Sequence, residues 1–244
     1  MINENLHNFF TRTSVRSYEK TPLKPEHEKA ILDIINSAPT FSNGHDFSAI
    51  VIKDQVTRDL IAGDLPHQQQ IKQAPLFVLF CADWNRIDYA DTKNNLNLVT
   101  NDLDQLLVGT GDAFIAATMA QDVALSLNVS TCFIGLVRAN LAGLIKLLNI
   151  SGRAIPMIGM TFGYAAEKNE IKPKMNKLFF EKYNRQELQT EVDKYDQIFA
   201  EYYASRSTNK KINQNWSSSM SYSYNDKATR KTGKFMKSIW KFEL

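Results

Sequence analysis

The sequence predicts one sandwich-like domain, α+β or α/β, in which strands alternate with helices around a shared core. Three observations carry this expectation. Ala74 to Ala82 (APLFVLFCA) is a strongly apolar run bounded by Pro75 and reads as a central strand. Ile155 to Tyr164 (IPMIGMTFGY) reads as a second buried strand. Between them, Asp102 to Leu127 is the longest stretch with helical periodicity. It mixes Gly109, Gly111, Ala113, Ala116, Ala117 and Ala120 with Leu106, Leu107, Phe114 and Met119. A helix apolar nearly all round belongs in a core or an interface.

The remaining elements follow in chain order. Asn3 to Phe10 reads as a short helix. Pro25 to Ser37 places Ala30, Ile31, Ile34 and Ile35 at helical spacing, with Pro25 suited to a first turn. Ala38 to His45 is rich in turn formers and reads as a loop, leading into a buried strand at Phe47 to Ile52. Thr57 to Gly63 reads as a short helix, Ser130 to Leu136 as a strand ending at Gly135, and Ala139 to Leu148 as a helix. Asp193 to Ala204 is an amphipathic helix, and Ser217 to Asn225 (SSSMSYSYN) reads as a low-complexity, mobile stretch.

Bulk properties narrow the function classes. The chain has 244 residues, 43% hydrophobic and 23% charged, an ordinary globular balance. No apolar run approaches the roughly 20 residues of a membrane span, and the first residues lack the pattern of a secretory signal. Cys81 and Cys132 sit inside apolar runs and read as buried free thiols, which fits a reducing cytoplasm. His7, His27, His45 and His67 are scattered, with no spacing suited to zinc. The net charge of +3 is small but uneven: Ser205 to Leu244 carries nine Lys/Arg against Asp226 and Glu243. Such a tail suits nucleic acid, an acidic surface, the phosphates of a small ligand, or solvent alone.

Two basic pieces stand out. In Arg12-Thr13-Ser14-Val15-Arg16, followed by Tyr18, polar and apolar side chains alternate, so cations and a hydroxyl share one face while Val15 anchors the segment. In Lys172-Pro173-Lys174, proline keeps the preceding residue out of a helix and holds two ammonium groups on an extended stretch. Together they would make an anion site; separately they read as a solvated terminus and loop. No nucleophile elbow, Walker loop or dinucleotide fingerprint is present, which suits a protein whose cofactor carries the chemistry.

Four segments resemble the nitroreductase superfamily of FMN enzymes, in its NADPH-preferring nitroreductase and flavin-reductase branch. They are Arg12 to Tyr18; Ser37 to His45; Phe133 to Asn140 with Ile155 to Gly159 and Lys172-Pro173-Lys174; and Tyr195-Asp196 through Tyr203 with Arg206, Lys210, Lys211 and Trp216-Ser217. The resemblance spans roughly residues 10–216. It implies a three-layer α+β sandwich with a central mixed sheet, an FMN-binding domain at 1–204 and a basic extension at 205–244. It also implies a homodimer with the flavin at the subunit interface; the long helix Asp102 to Leu127, apolar and rich in small residues that suit tight helix packing, is the candidate for the dimer core.

The resemblance further implies roles. Arg16, Lys172 and Lys174, with Arg12, Thr13 and Ser14 beside them, would hold the FMN phosphate. Thr40, Asn43, His45 and Gln68 would edge the ring or ribityl chain, and the Gly135 backbone would approach the ring. Arg206, Lys210 and Lys211 would read the 2′-phosphate of NADPH, which makes nucleic acid the weaker partner for the tail. Hydride would pass from NADPH to the flavin N5, and electrons on to a nitroaromatic, quinone or flavin in a ping-pong cycle with no catalytic side chain. A flavin-binding redox sensor with little turnover is the alternative. Thr13 stands where the family has arginine and His45 where it has glutamine. Ser130-Thr131 and Leu136 stand where glycine is common.

Overall fold

The computed structural model describes residues 4–65, 67–97, 101–224 and 232–241. The chain divides into two compact units, Met1–Asn169 with Lys231–Leu244, and Glu170–Arg230. This division falls elsewhere than the expected boundary between residues 204 and 205.

The first unit is built on a sheet of four strands: β1 (Phe47–Ile52), β2 (Leu76–Asp83), β3 (Ser130–Ile134) and β4 (Ala154–Gly163). Their order is β1-β2-β4-β3. Every described pairing is antiparallel, so the mixed sheet that was expected has no parallel pair among the described residues. The central pair explains the two apolar runs. Side chains of a strand alternate between faces, and β2 has a helical layer on each side. Leu76, Val78 and Phe80 pack with Ile31, Ile35, Ala113 and Ala117. Phe77, Leu79 and Cys81 pack instead with Ile61, Ile71, Val137 and Leu144. Three layers therefore follow from one strand having no polar face. β1, expected to be buried, is a half-buried edge strand.

Local chemistry sets the helices. α1 (Glu4–Thr11) precedes the basic run, and α2 (Pro25–Asn36) starts on Pro25 with Glu26 and Glu28 in its first turn, where acidic groups complement the helix dipole. α3 (Gln55–Gly63) is capped by Asp54, whose carboxylate accepts the Thr57 N–H at 2.7 Å. α4 (Gln70–Gln73) and α5 (Asn85–Lys93) are short helices that the sequence reading left unassigned. α6 (Leu103–Ser126) is the long helix. Its small residues Gly109, Ala113, Ala116, Ala117, Ala120 and Ala124 are buried within this chain. The Gly109 backbone packs so closely that a Cβ there would sit 2.9 Å from the Asp46 carbonyl. Leu107, Phe114 and Ile115 form its exposed apolar side.

β3 ends before Gly135, and Gly135–Asn140 is a 3-10 turn leading to α7 (Leu141–Leu147). In the second unit, α8 (Arg185–Ser205) begins well before Asp193. Its N-terminus is set by Asn184, which accepts the N–H groups of Gln186 and Glu187. α9 (Trp216–Tyr224) occupies the stretch read as mobile. It is fastened at its start, where Ser217 N–H donates to Asp196 at 2.8 Å. α10 (Thr232–Trp240) returns to the first unit. There Trp240 is fully buried, and the Arg153 guanidinium lies 5.6 Å from its ring and 5.7 Å from that of Trp84. Asp88 pairs with the same guanidinium. No described helix is long and apolar enough to cross a membrane.

Candidate functional site

The basic run is laid across the ends of β3 and β4 by backbone bonds. Val15 N–H donates to the Thr131 carbonyl at 3.1 Å, Glu19 N–H to Tyr164 at 2.9 Å, and Ala166 N–H to Ser17 at 3.0 Å. Tyr18 bridges Ala165 in the antiparallel sense. Its hydroxyl lies 2.8 Å from that of Thr161, and burial raises its pKa, so it stays a neutral phenol. The crossing depends on Gly163, where a Cβ would stand 2.7 Å from the Tyr18 ring. Strand-like alternation leaves Arg12, Ser14 and Arg16 exposed and buries Val15 between them; Tyr18 is also buried but falls outside that two-residue register.

Neither Arg12 nor Arg16 has an ion-pair partner among the described residues. Their fields are felt nearby. Burial pushes the Cys132 thiol and the Asp122 carboxyl up, and Arg16 and Arg12 respectively oppose these shifts. Two unpaired guanidinium groups flanking a serine hydroxyl are the donor set that a phosphate dianion takes. On that chemistry the strip fits the phosphate of FMN. Thr13, half-buried between the two arginines, adds no charge.

The Ala38-to-His45 loop is tightly wound. Phe41–Asn43 forms a 3-10 turn, and Ser42, Asn43 and His45 all have positive φ, at 48°, 59° and 52°. Non-glycine residues rarely adopt this region, and Asn and His tolerate it better than most. The loop is tied from within and below. His45 N–H donates to Thr40 Oγ1 at 3.1 Å, and Phe41 N–H donates to Asp112 Oδ2 of α6 at 2.8 Å. Arg86 donates to the carbonyls of His45 and Phe47 at 3.1 and 3.0 Å. Asn43 and His45 project outward and Thr40 is half-buried, as groups edging a ligand would be.

Under the loop, Asp46 and Asp112 are buried side by side. Burial, then the hydrogen bond and charge of Asp112, push the Asp46 carboxyl up to about 7. Asp46 Oδ1 finds no partner among the described residues. Burial and the neighbouring carboxyl both favour the protonated form of Asp46. Sequence reading missed this pair, and neither aspartate carries a local signal.

The other expected residues are placed as follows. Gln68 accepts from Gln70 Nε2 at 2.7 Å and is half-buried. Gly135 opens the 3-10 turn, and a Cβ there would meet Arg138 at an ordinary 3.6 Å. The chain itself therefore leaves room for a side chain at Gly135. Lys172 and Lys174 belong to the second unit, exposed on a stretch without helix or strand. Tyr195 O–H fixes that stretch by donating to the Pro173 carbonyl at 3.0 Å. Arg206 lies 5.5 and 5.4 Å from the rings of Tyr202 and Tyr203, and its Nε donates to Glu170 Oε2 at 3.1 Å. Lys211 Nζ lies 5.4 Å from the Tyr203 ring, and Lys210 is exposed. Lys227, Arg230 and Lys231 of the basic tail lie outside the described residues.

A three-layer α+β scaffold thus carries exposed arginines and a serine hydroxyl at one end of its sheet, a donor set of the kind a phosphate group takes. Comparison with known proteins makes this specific. The family model described as "Nitroreductase family" matches residues 10–164, and "Nitroreductase family, C-terminal domain" matches residues 172–239. The "FMN reductase [NAD(P)H]" of Bacillus subtilis is 35% identical, over 91% of this chain and 92% of its own. The "Oxygen-insensitive NADPH nitroreductase" of Salmonella typhimurium is 28% identical, over 80% and 81%. The solved structure of the "hypothetical oxidoreductase YcnD" from Bacillus subtilis superposes with a TM-score of 0.92 at 32% identity, over 100% of this chain and 99% of that one. The chain belongs to the nitroreductase family.

Proposed function

We propose that this chain is an FMN-dependent NADPH oxidoreductase that reduces small acceptors: nitroaromatics, quinones or flavins. The observation that carries this reading is the exposed Arg12–Ser14–Arg16 strip, with no ion-pair partner among the described residues, in a chain of a family whose similar members are named FMN reductase and NADPH nitroreductase. Arg12, Ser14 and Arg16, with Thr13 between them, hold the FMN phosphate. The family resemblance assigns Lys172 and Lys174 to the same phosphate. Thr40, Asn43, His45 and Gln68 orient the ring and ribityl chain, and the Gly135 backbone offers a face without a side chain. The redox chemistry is that of bound FMN, with hydride accepted from NADPH and electrons passed on. The residues of the chain bind, orient and exclude water, and none needs to act as acid or base. Arg206, Lys210 and Lys211 read the NADPH 2′-phosphate.

The functional unit in this reading is a cytoplasmic homodimer. The exposed Leu107, Phe114 and Ile115 on α6 support a partner of the same kind, and the buried Cys81 and Cys132, joined in no disulfide, suit a reducing compartment. The names of its relatives do not favour the sensor alternative. Anaerobic stopped-flow mixing of the flavin-loaded protein with NADPH tests the reading. Rapid loss of visible absorbance, recovered on adding a quinone, is expected; a protein that stays yellow overturns it.

A further inference from the structure

The Arg206 loop already holds an anion of its own. Glu170 Oε2 accepts from Arg206 Nε at 3.1 Å, and Oε1 accepts from Ser207 Oγ at 2.9 Å and from Ser207 N–H at 3.4 Å. A guanidinium, a hydroxyl and a main-chain amide thus converge on one carboxylate. These donors keep the Glu170 carboxyl below its usual range, Ser207 contributing first and Arg206 after it. The guanidinium is held from beneath by Tyr202 and Tyr203, so its direction does not depend on Glu170 alone. Its side chain is 14% exposed and that of Glu170 39%, so the carboxylate is the more solvent-accessible half of the pair.

We propose that Glu170 is an internal stand-in for the 2′-phosphate: it occupies the donor set of Arg206 and Ser207 and must be displaced when NADPH binds. This rests on the reading of Arg206 as part of the NADPH 2′-phosphate site. It adds Ser207 as a donor to that phosphate and makes Glu170 a determinant of coenzyme specificity. A phosphate monoester brings more charge and more acceptor oxygens than a carboxylate, so it can take over these donors. Its gain is the difference between the two anions rather than the whole of its own interaction. Glu170 therefore narrows the preference for NADPH over NADH. Without a 2′-phosphate, NADH leaves the Glu170–Arg206 pair in place and loses nothing to it.

The test uses the flavin-loaded protein and its Glu170→Gln, Ser207→Ala and Arg206→Ala variants at fixed low ionic strength, because screening would blur the comparison. Two quantities are read: the affinity of 2′,5′-ADP relative to 5′-AMP by calorimetry, and the ratio of kcat/KM for NADPH to that for NADH. Glutamine keeps the shape and one acceptor oxygen while removing the charge. Glu170→Gln should raise both ratios by about five- to tenfold, and Ser207→Ala should lower both by about three- to fivefold. Unchanged or lowered ratios in Glu170→Gln, with Arg206→Ala still abolishing the preference for 2′,5′-ADP, would overturn the stand-in and leave the phosphate site standing. If Arg206→Ala weakens 2′,5′-ADP and 5′-AMP by the same factor, the phosphate site itself fails, and the stand-in with it. Circular dichroism of each variant confirms the fold, and the charge-conserving Glu170→Asp should fall between wild type and Glu170→Gln.

Discussion

The two cationic regions are built differently. At Arg12 to Arg16 the guanidinium groups are set by backbone bonds to β3 and β4, and they have no ion-pair partner among the described residues. At Arg206 the guanidinium is set by side chains, Tyr202 and Tyr203 beneath and Glu170 in front, while Lys211 N–H donates to the Tyr203 carbonyl at 3.0 Å. The difference matches what each would hold. A resident cofactor gains most from donors already in place with nothing to displace. A coenzyme that arrives and leaves each cycle is served by a site with an internal occupant, which limits its affinity and so its residence.

The comparison can be broken at four places. The largest effect is expected at the carboxyl pair under the Ala38-to-His45 loop. Because the Asp46 carboxyl is raised to about 7 in the folded protein, the folded state binds a proton that the unfolded state has already lost. Stability therefore falls as pH rises from about 4 to about 7, by on the order of 2–4 kcal/mol, and is flat with respect to this group above that. Denaturant midpoints across this range should fall in wild type and vary less in Asp46→Asn; equal slopes would detach the carboxyl pair from the stability of the loop.

Next in size, Arg16→Ala should weaken FMN about 10- to 100-fold, read by flavin fluorescence on titration into the apoprotein. An unchanged affinity would mean that the strip is not the phosphate site. A smaller effect belongs to the exchangeable region. Lys210→Ala with Lys211→Ala should lower the ratio of kcat/KM for NADPH to NADH by about three- to tenfold; equal losses for both coenzymes would sink the 2′-phosphate assignment. The smallest change in the protein itself is expected at Gly135→Ala. The chain has room for the methyl group, so thermal stability should shift by less than about 1 kcal/mol. FMN binding should nonetheless weaken, because the added carbon would face the ring.

Much of this was legible in the sequence. The apolar runs announced β2 and β4, and the helical period announced α2 and α6. The alternation around Val15 foretold which side chains of the basic strip face outward. Other features were not legible. α5 is short and polar and α9 is rich in serine, and α9 is fastened at its start by Asp196, 21 residues earlier, which accepts the Ser217 N–H, together with Asn215, which accepts that of Ser218. The small residues of α6 looked suited to a partner helix, yet they pack against the sheet of the same chain, and a few larger side chains face outward.

Sequence by itself determined the four strands, the long helices, the two cationic pieces and the family, because periodicity, capping and short signatures are local properties of the chain. Tertiary structure alone decided that Asp112 lies under the loop and accepts from Phe41, 71 residues before it, and that Glu170 meets Arg206 across 36 residues. The physical reason is that a charge takes its meaning from its neighbours. Whether a carboxyl is buried beside another, or a guanidinium is free or already paired, depends on groups that only folding brings together.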